Sequence, residues 1–288
     1  MPELPEVEHV RRGLTPVLHQ QISKITFSDK VIEGHKNHKQ TILKDMHLKA
    51  FKAGLINGEI ISINRRSKYL IFEINKHDNS IYLVSHLGMS GGYFIVDTID
   101  DIPVDNFRKH WHVQFQLNHK ILVYSDIRRF GEMRLMDEAQ FELFNQKIAP
   151  EPFEPVAQDY FMNRLNEKKF QNKPIKSVIM DHSVVSGCGN IYACEALFHA
   201  GILPNTMVAS LNEENCIQLF KAIQRVLQEG IEHGGSTISD YRNVNGQSGQ
   251  MQNRFYVYGK KQCGYCGSDI EHIVIAGRNS HYCATCQR

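Results

Sequence analysis

Two close cysteine pairs constrain this chain more than any other feature. Cys263 and Cys266 form one C-x2-C pair, and after sixteen residues Cys283 and Cys286 form a second. That spacing falls in the range of tetrahedral four-thiolate zinc sites, where two pairs hold the ends of a short hairpin around one ion. Two disulfides are the alternative, and they belong to oxidising compartments. The first residues, MPELPEVEHVRRGL, carry three Glu among the first eight and no continuous apolar region, unlike a secretory signal. No stretch approaches the ~18 consecutive apolar residues of a membrane span. The expectation is therefore a soluble, cytoplasmic chain with one structural zinc, because four thiolates leave no open coordination position. Cys188, Cys194 and Cys216 lie singly in segments that read as helical or nearly so, where a buried thiol behaves as a small hydrophobe.

At 288 residues the chain has room for roughly two domains, each with its own core. Hydrophobic residues at 42% and charged residues at 22% exclude wholesale disorder. A net charge of +2 does not itself imply nucleic acid; only a clustered basic face could. The texture changes along the chain. Residues 2–18 start a helix, with Pro5 in its first turn, Glu6 and Glu8 at the positive end of the dipole, and Val7, Val10 and Leu14 on one face. From about 20 to 136 the reading is mostly short strands, which suggests a sandwich or barrel. Pro150, Pro152 and Pro155 break any regular element, and helical texture follows them. Ser210-Leu211-Asn212-Glu213 reads as a capping box opening a longer helix. From Gly234 to about Asn253 a polar, Gly-rich segment runs too far for an ordinary connection.

Several groups of residues could carry chemistry. Removal of Met1 would make Pro2 a free secondary amine with a pKa of roughly 7.7–8, partly unprotonated near neutrality. Such an amine attacking an aldehyde or hemiacetal carbon gives an iminium ion, an electron sink like a lysine Schiff base. Glu3 beside it could serve as general acid or base. The competing reading of Pro2 and Glu3 is a plain helix start. Basic residues recur at bends: Arg65-Arg66-Ser67-Lys68, His86 before Gly88-Met89-Ser90-Gly91, Arg108 to His112 around Trp111, and Arg128-Arg129-Phe130-Gly131. Cations at such bends can track phosphates, and an exposed Met or Phe can wedge between bases; the alternative is a solvated edge. Gly187-Cys188-Gly189-Asn190 feeds a helix whose first N–H groups suit an anion, or simply a cap. Arg278, between the cysteine pairs, is placed to present a guanidinium to phosphate. Residues 252–288 carry a local charge of +3, from Arg254, Lys260, Lys261, Arg278 and Arg288 against Asp269 and Glu271.

Taken in order, MPELPEVE, RRSKYL, HLGMSG, DIRRFG, SGCGNIYACEALF and AGRNSHYCATCQR resemble the successive signatures of the bacterial formamidopyrimidine-DNA glycosylase (Fpg, MutM) family. The resemblance spans the chain, and PELPE is similar to this branch rather than to the PEGPE of the pyrimidine-directed Nei group. It implies an α+β protein: an N-terminal β-sandwich flanked by helices, a C-terminal helical domain with a helix–two-turns–helix motif, and a four-cysteine zinc-finger β-hairpin. The corresponding boundaries are a catalytic domain at 1–148, a linker at 149–156, a helical domain at 157–252 and the hairpin at 253–288. A lesion-capping loop falls at about 234–252.

The resemblance further implies a monomeric base-excision-repair enzyme that removes oxidised purines from damaged double-stranded DNA and then cleaves the strand by β,δ-elimination. Its compartment would be the bacterial cytoplasm, at the nucleoid. Pro2 would be the nucleophile, Glu3 the proton-transfer partner and Glu6 a supporting carboxylate. Lys68, counted with Pro2 and Glu3 in the catalytic set, would grip phosphates together with Asn190 and Arg278, with His86, His112 and Arg129 in the same DNA-binding set. Met89, Arg128 and Phe130 would fill the void left by an extruded base. The finger departs from the family in lacking Gly-x-Pro before Cys263, and Cys188 stands where an aliphatic residue is usual. The alternatives are a Nei-like preference for oxidised pyrimidines and a zinc-finger protein that binds DNA without cutting it.

Overall fold

The computed structural model describes residues 2–39, 41–237 and 242–288. Met1 and residues 238–241 of the expected capping loop lie outside the described residues. The chain divides into two compact units, Met1–Asn145 with Gly234–Gly249, and Gln146–His233 with Gln250–Arg288. The segment 234–249 thus packs with the N-terminal unit, although the chain reaches it only after the long helix of the other.

The first unit begins with α1 (Leu4–Gly13), followed by β1 (Lys24–Phe27), α2 (Asp29–Lys36), β2 (Ile42–Leu43) and α3 (Leu48–Leu55). An antiparallel meander follows: β3 (Glu59–Arg66), β4 (Tyr69–Lys76) and β5 (Asn79–His86). Then come β6 (Gly91–Val96), α4 (Asp105–Lys109), β7 (Trp111–Gln116), β8 (Ile121–Asp126), β9 (Glu132–Met136) and α5 (Glu138–Asn145). The strands form two sheets, β1-β7-β8-β6 and β2-β9-β5-β4-β3. Their inner faces share one apolar cluster, with Ile25, Phe115 and Leu122 from one sheet and Ile60, Leu70 and Leu83 from the other. Val7, Val10 and Leu14 join the same cluster, so the first helix is part of the sandwich core. Burying each such side chain stabilises the fold by about 1.5–3 kcal/mol.

The helices α2 and α3 fall inside the region whose texture reads as strand. In α3 only Phe51 and Leu55 are buried, four residues apart on one face. Eight residues are too few for that period to stand out from its neighbours.

Charge holds α1 against the meander. The Glu8 carboxylate accepts from Arg11 (2.7 Å) and Arg12 (2.8 Å) on its own helix and from Arg65 on β3 (3.2 Å). Arg65 also donates to the Ser67 carbonyl at 3.1 Å, which fixes the two-residue bend between β3 and β4.

In the second unit the helices are α6 (Ala157–Leu165), α7 (Lys168–Gln171), α8 (Ile175–Ile179), α9 (Asn190–His199) and α10 (Glu213–Glu232). The cap of α10 is Asn212 rather than Ser210: Asn212 Oδ1 accepts the Asn215 N–H at 2.8 Å, and the Asn215 side chain reciprocates. Ser210 lies instead in a short 3-10 turn. The chain closes with the hairpin β10 (Glu271–Ile275) and β11 (Arg278–Tyr282). Its turn is Ala276–Gly277, both left-handed, so Arg278 opens the return strand. Among the described residues no helix is long and apolar enough to cross a membrane.

The clamp on α1 makes stability depend on acid. Burial opposes ionisation of Glu8, but hydrogen bonds from Arg11 and Arg12 and the charges of Arg11 and Arg65 outweigh it, holding the carboxyl at about 2 against its ordinary 4.5. The folded value is the lower, so the contribution is complete above the ordinary value and is lost as pH falls towards 2. Glu8→Gln should cost about 1–3 kcal/mol at neutral pH and flatten the acid limb of the stability curve. An acid limb identical to the parent's would show that the clamp contributes nothing.

Candidate functional site

In the N-terminal unit the site begins at the start of α1. Glu3 is the helix N-cap and forms a capping box with Glu6, whose Oε2 accepts the Glu3 N–H at 2.8 Å. The other oxygen of Glu6 accepts from the Ser236 N–H at 2.6 Å and the Ser236 hydroxyl at 3.2 Å. One buried carboxylate therefore ties the first residues to the segment after α10. Pro2, Glu3 and Glu6 are all buried. This differs from an ordinary chain end, which frays. Lys68 sits at the β3–β4 bend, where Ser67 takes a left-handed φ of 56°.

The loops carrying Met89 and Phe130 are braced against each other. Asp126, fully buried at the end of β8, accepts from the Ser90 hydroxyl at 2.6 Å, the Gly131 N–H at 2.7 Å and the Arg128 N–H at 3.2 Å. The Arg128 N–H also reaches the Ser90 oxygen at 2.8 Å. Gly88, at φ 63°, lies so close that a Cβ there would stand 2.4 Å from the Gly131 nitrogen. Above this brace Arg128 and Arg129 are exposed, Arg129 at a left-handed φ of 59°, and the Phe130 ring is 65% exposed. A non-glycine left-handed residue and a bare phenyl ring both cost stability, a pattern that marks contact surfaces.

The two histidines of the phosphate set lie beneath that surface. Burial pushes the His86 imidazole down to about 4, where it is neutral near pH 7, and its Nδ1 accepts the Gly88 N–H at 3.1 Å. His112 is fully buried, with Nδ1 3.2 Å from the Ser28 hydroxyl and Nε2 2.9 Å from the Asp126 carbonyl. The carbonyl can only accept, so Nε2 carries the proton. Each ring is thus tied by hydrogen bonds to the bend beside it.

In the second unit Asn190 opens α9, and its Nδ2 donates to the Asn279 carbonyl at 3.0 Å, beside Arg278 on the hairpin. Its Oδ1 accepts from Lys176 at 2.5 Å, and the same ammonium donates to Ser280 at 2.6 Å. Lys176 is fully buried, a position that a lysine takes only with strong partners. Glu195, on α9, takes the Tyr256, Val257 and Tyr258 N–H groups at 2.7–3.0 Å. Burial pushes its carboxyl up against the pull of those donors. Neither residue was singled out from the sequence. Each nevertheless carried a signal as the lone charge in an apolar helical stretch, PIKSVIM and ACEALF. Ser90 carried none.

The four sulfurs of Cys263, Cys266, Cys283 and Cys286 lie within 4.8 Å of one another. The Cys263–Cys286 and Cys266–Cys283 separations are 4.0 and 3.5 Å. They bracket the ~3.8 Å edge of a tetrahedron with Zn–S bonds of about 2.3 Å. None of the seven cysteines is in a disulfide, and separations of 3.5 and 4.0 Å are those of ligands around one ion rather than of S–S bonds of about 2.05 Å. Gln287 anchors the finger, accepting the Cys283 N–H at 2.8 Å and donating to the Ile202 carbonyl at 2.7 Å.

Family models match the chain in three successive pieces. These are the formamidopyrimidine-DNA glycosylase N-terminal domain (residues 1–133), its H2TH domain (148–242) and the zinc finger found in FPG and IleRS (260–288). A formamidopyrimidine-DNA glycosylase of Streptococcus pyogenes serotype M3 is 39% identical over 100% of this chain and 99% of its own. The chain belongs to the formamidopyrimidine-DNA glycosylase family. One from Shouchella clausii is 38% identical over 100% of this chain and 99% of its own. Among solved structures, a Lactococcus lactis FPG mutant with DNA containing Fapy-dG matches at TM-score 0.84 and 35% identity, covering 100% of both chains. A MutM complex with DNA containing carbocyclic 8-oxo-G matches equally, with TM-score 0.84 and 35% identity over 100% of both chains. The α+β fold, the helical H2TH unit and the four-cysteine hairpin agree with this membership, and the cysteine cluster holds one structural zinc.

Metal analysis should therefore find one zinc per chain. Chelation should unfold the C-terminal hairpin while the sandwich keeps its own thermal transition; a hairpin equally protected from proteolysis without metal would contradict a structural role.

Proposed function

We propose that this chain is a bifunctional base-excision DNA glycosylase that removes oxidised purines, formamidopyrimidines and 8-oxoguanine, from duplex DNA and then cleaves the abasic strand. The observation that carries the reading is the immobilised start of α1. With Met1 removed, the Pro2 nitrogen bonds to C1′ of the damaged nucleotide as the C1′–base bond breaks, and the base leaves with a proton. Glu3, held at the helix start, is the group placed to move protons. Proton transfer to O4′ then opens the C1′–O4′ bond and leaves an iminium, which acidifies C2′, so loss of that proton expels the 3′-phosphate; a second elimination expels the 5′-phosphate. Glu6 supports the site through Glu3 and Ser236.

A base inside a duplex must first be extruded, at a cost of a few kcal/mol, and the hole filled. Met89, Arg128 and Phe130 suit that task because their loops are braced through Asp126, with Arg128 directed to the orphaned cytosine. Lys68, Asn190, Arg278 and Arg129 grip phosphates in this reading, and the zinc serves to position Arg278. The activity belongs where DNA is, in the bacterial cytoplasm, and the family's enzymes act as monomers in this reading. A second reading, action on oxidised pyrimidines as well, is favoured by a matched Lactococcus lactis FPG structure whose DNA contains an oxidised pyrimidine.

Borohydride trapping on a duplex with one 8-oxoguanine opposite cytosine should give a covalent adduct that maps to Pro2. Pro2→Gly should lose both activities while keeping DNA binding; undiminished turnover would refute the nucleophile. Parallel cleavage of duplexes with oxidised purines and pyrimidines ranks the two substrate readings. Arg278→Ala should weaken binding to every duplex and reduce the slope of log K against log salt by about one phosphate contact. A parent-like slope would remove Arg278 from the phosphate set.

A further inference from the structure

Gly13, the last residue of α1, lies in right-handed helical backbone, where nothing in the chain's own conformation calls for glycine. Alanine would be the better helix former at such a position. The reason for glycine is across the gap: a Cβ at Gly13 would stand 2.3 Å from Cγ2 of Val244 and 3.1 Å from its Cγ1. Val244 is buried and belongs to the same apolar cluster as Val10 and Leu14. Its own turn is tied down by Asn243, whose Oδ1 accepts the Asn245 and Gln247 N–H groups at 3.0 and 2.9 Å. At the other end of α1, Glu6 holds Ser236. The helix that Glu3 caps therefore meets the stretch after α10 twice, at Ser236 and at Val244.

We propose that Val244, seated in the notch at Gly13, is a positioning residue that registers the lesion-capping segment against the catalytic helix and so sets how well the damaged base is held for removal. The inference rests on the glycosylase reading, in which that segment covers the extruded base. It goes beyond that reading by naming the anchor. Base removal needs the segment in register, whereas strand cleavage at a preformed abasic site has no base to hold.

Single-turnover base removal from an 8-oxoguanine duplex and cleavage of a preformed abasic duplex should be measured for Gly13→Ala, Val244→Ala and the double variant. Gly13→Ala should slow base removal by up to about a hundredfold, as expected for a misplacement near 1 Å, and leave abasic cleavage as in the parent. Val244→Ala should slow base removal less, and the double variant should recover to the Val244→Ala rate, because the alanine methyl then has room. Parent-like base removal in both single variants would overturn the proposal, as would a double variant no better than Gly13→Ala. So would equal losses on the two duplexes, since those report general damage to the fold. A parent protein inactive on both duplexes would instead overturn the glycosylase reading, and this inference with it.

Discussion

A chain terminus can serve as a nucleophile only if it stops behaving as a terminus. The first residues of most domains fray, and an amine on a fraying strand spends little time in attacking geometry. In the reading that makes Pro2 the nucleophile, α1 solves that problem with two carboxylates two residues apart on opposite faces. Glu8 faces Arg11, Arg12 and Arg65 and locks the helix to the β3–β4 bend. Glu6 faces the other way, to the Glu3 N–H and Ser236. The apolar side, Val7, Val10 and Leu14, is shared with the sandwich core. Moving the N-terminus therefore means disturbing charge, hydrogen bonds and core at once.

The second unit meets a different difficulty. A two-stranded hairpin of five-residue strands has too little apolar surface to hold its shape in water. Zinc closes one end of it, and buried polar contacts join it to the helices: Lys176 to Ser280, Asn190 to the Asn279 carbonyl, Gln287 to the Ile202 carbonyl. Such contacts favour one geometry over slipped ones because a lost partner leaves a buried donor or acceptor unmet. Arg278 is thereby carried on a hairpin fixed at both its cysteine end and its flank.

Much of the candidate site can be read along the chain because its parts are local. Pro2, Glu3 and Glu6 are neighbours on one helix start, the cysteine pairs announce themselves by spacing, and Arg128 and Phe130 share a single bend. Secondary structure was legible where segments were long, as in α10, and less so for α2 and α3, whose eight residues hide their period. The cap at Asn212 instead of Ser210 is a choice between two good cap residues two positions apart, decided by where the helix backbone begins.

What the sequence determined by itself is the inventory of reactive and ligating groups and their grouping into motifs, since covalent neighbours and metal-ligand spacing survive without a fold. Tertiary structure alone decided what each group faces. It buried His112 and half-buried His86, tying each ring to a bend, and it set Asp126 beneath three loop contacts. It buried Lys176 between Asn190 and Ser280, and it brought Val244 to Gly13 across more than two hundred residues. Burial and partnership between distant residues are properties of packing, and no spacing along the chain encodes them.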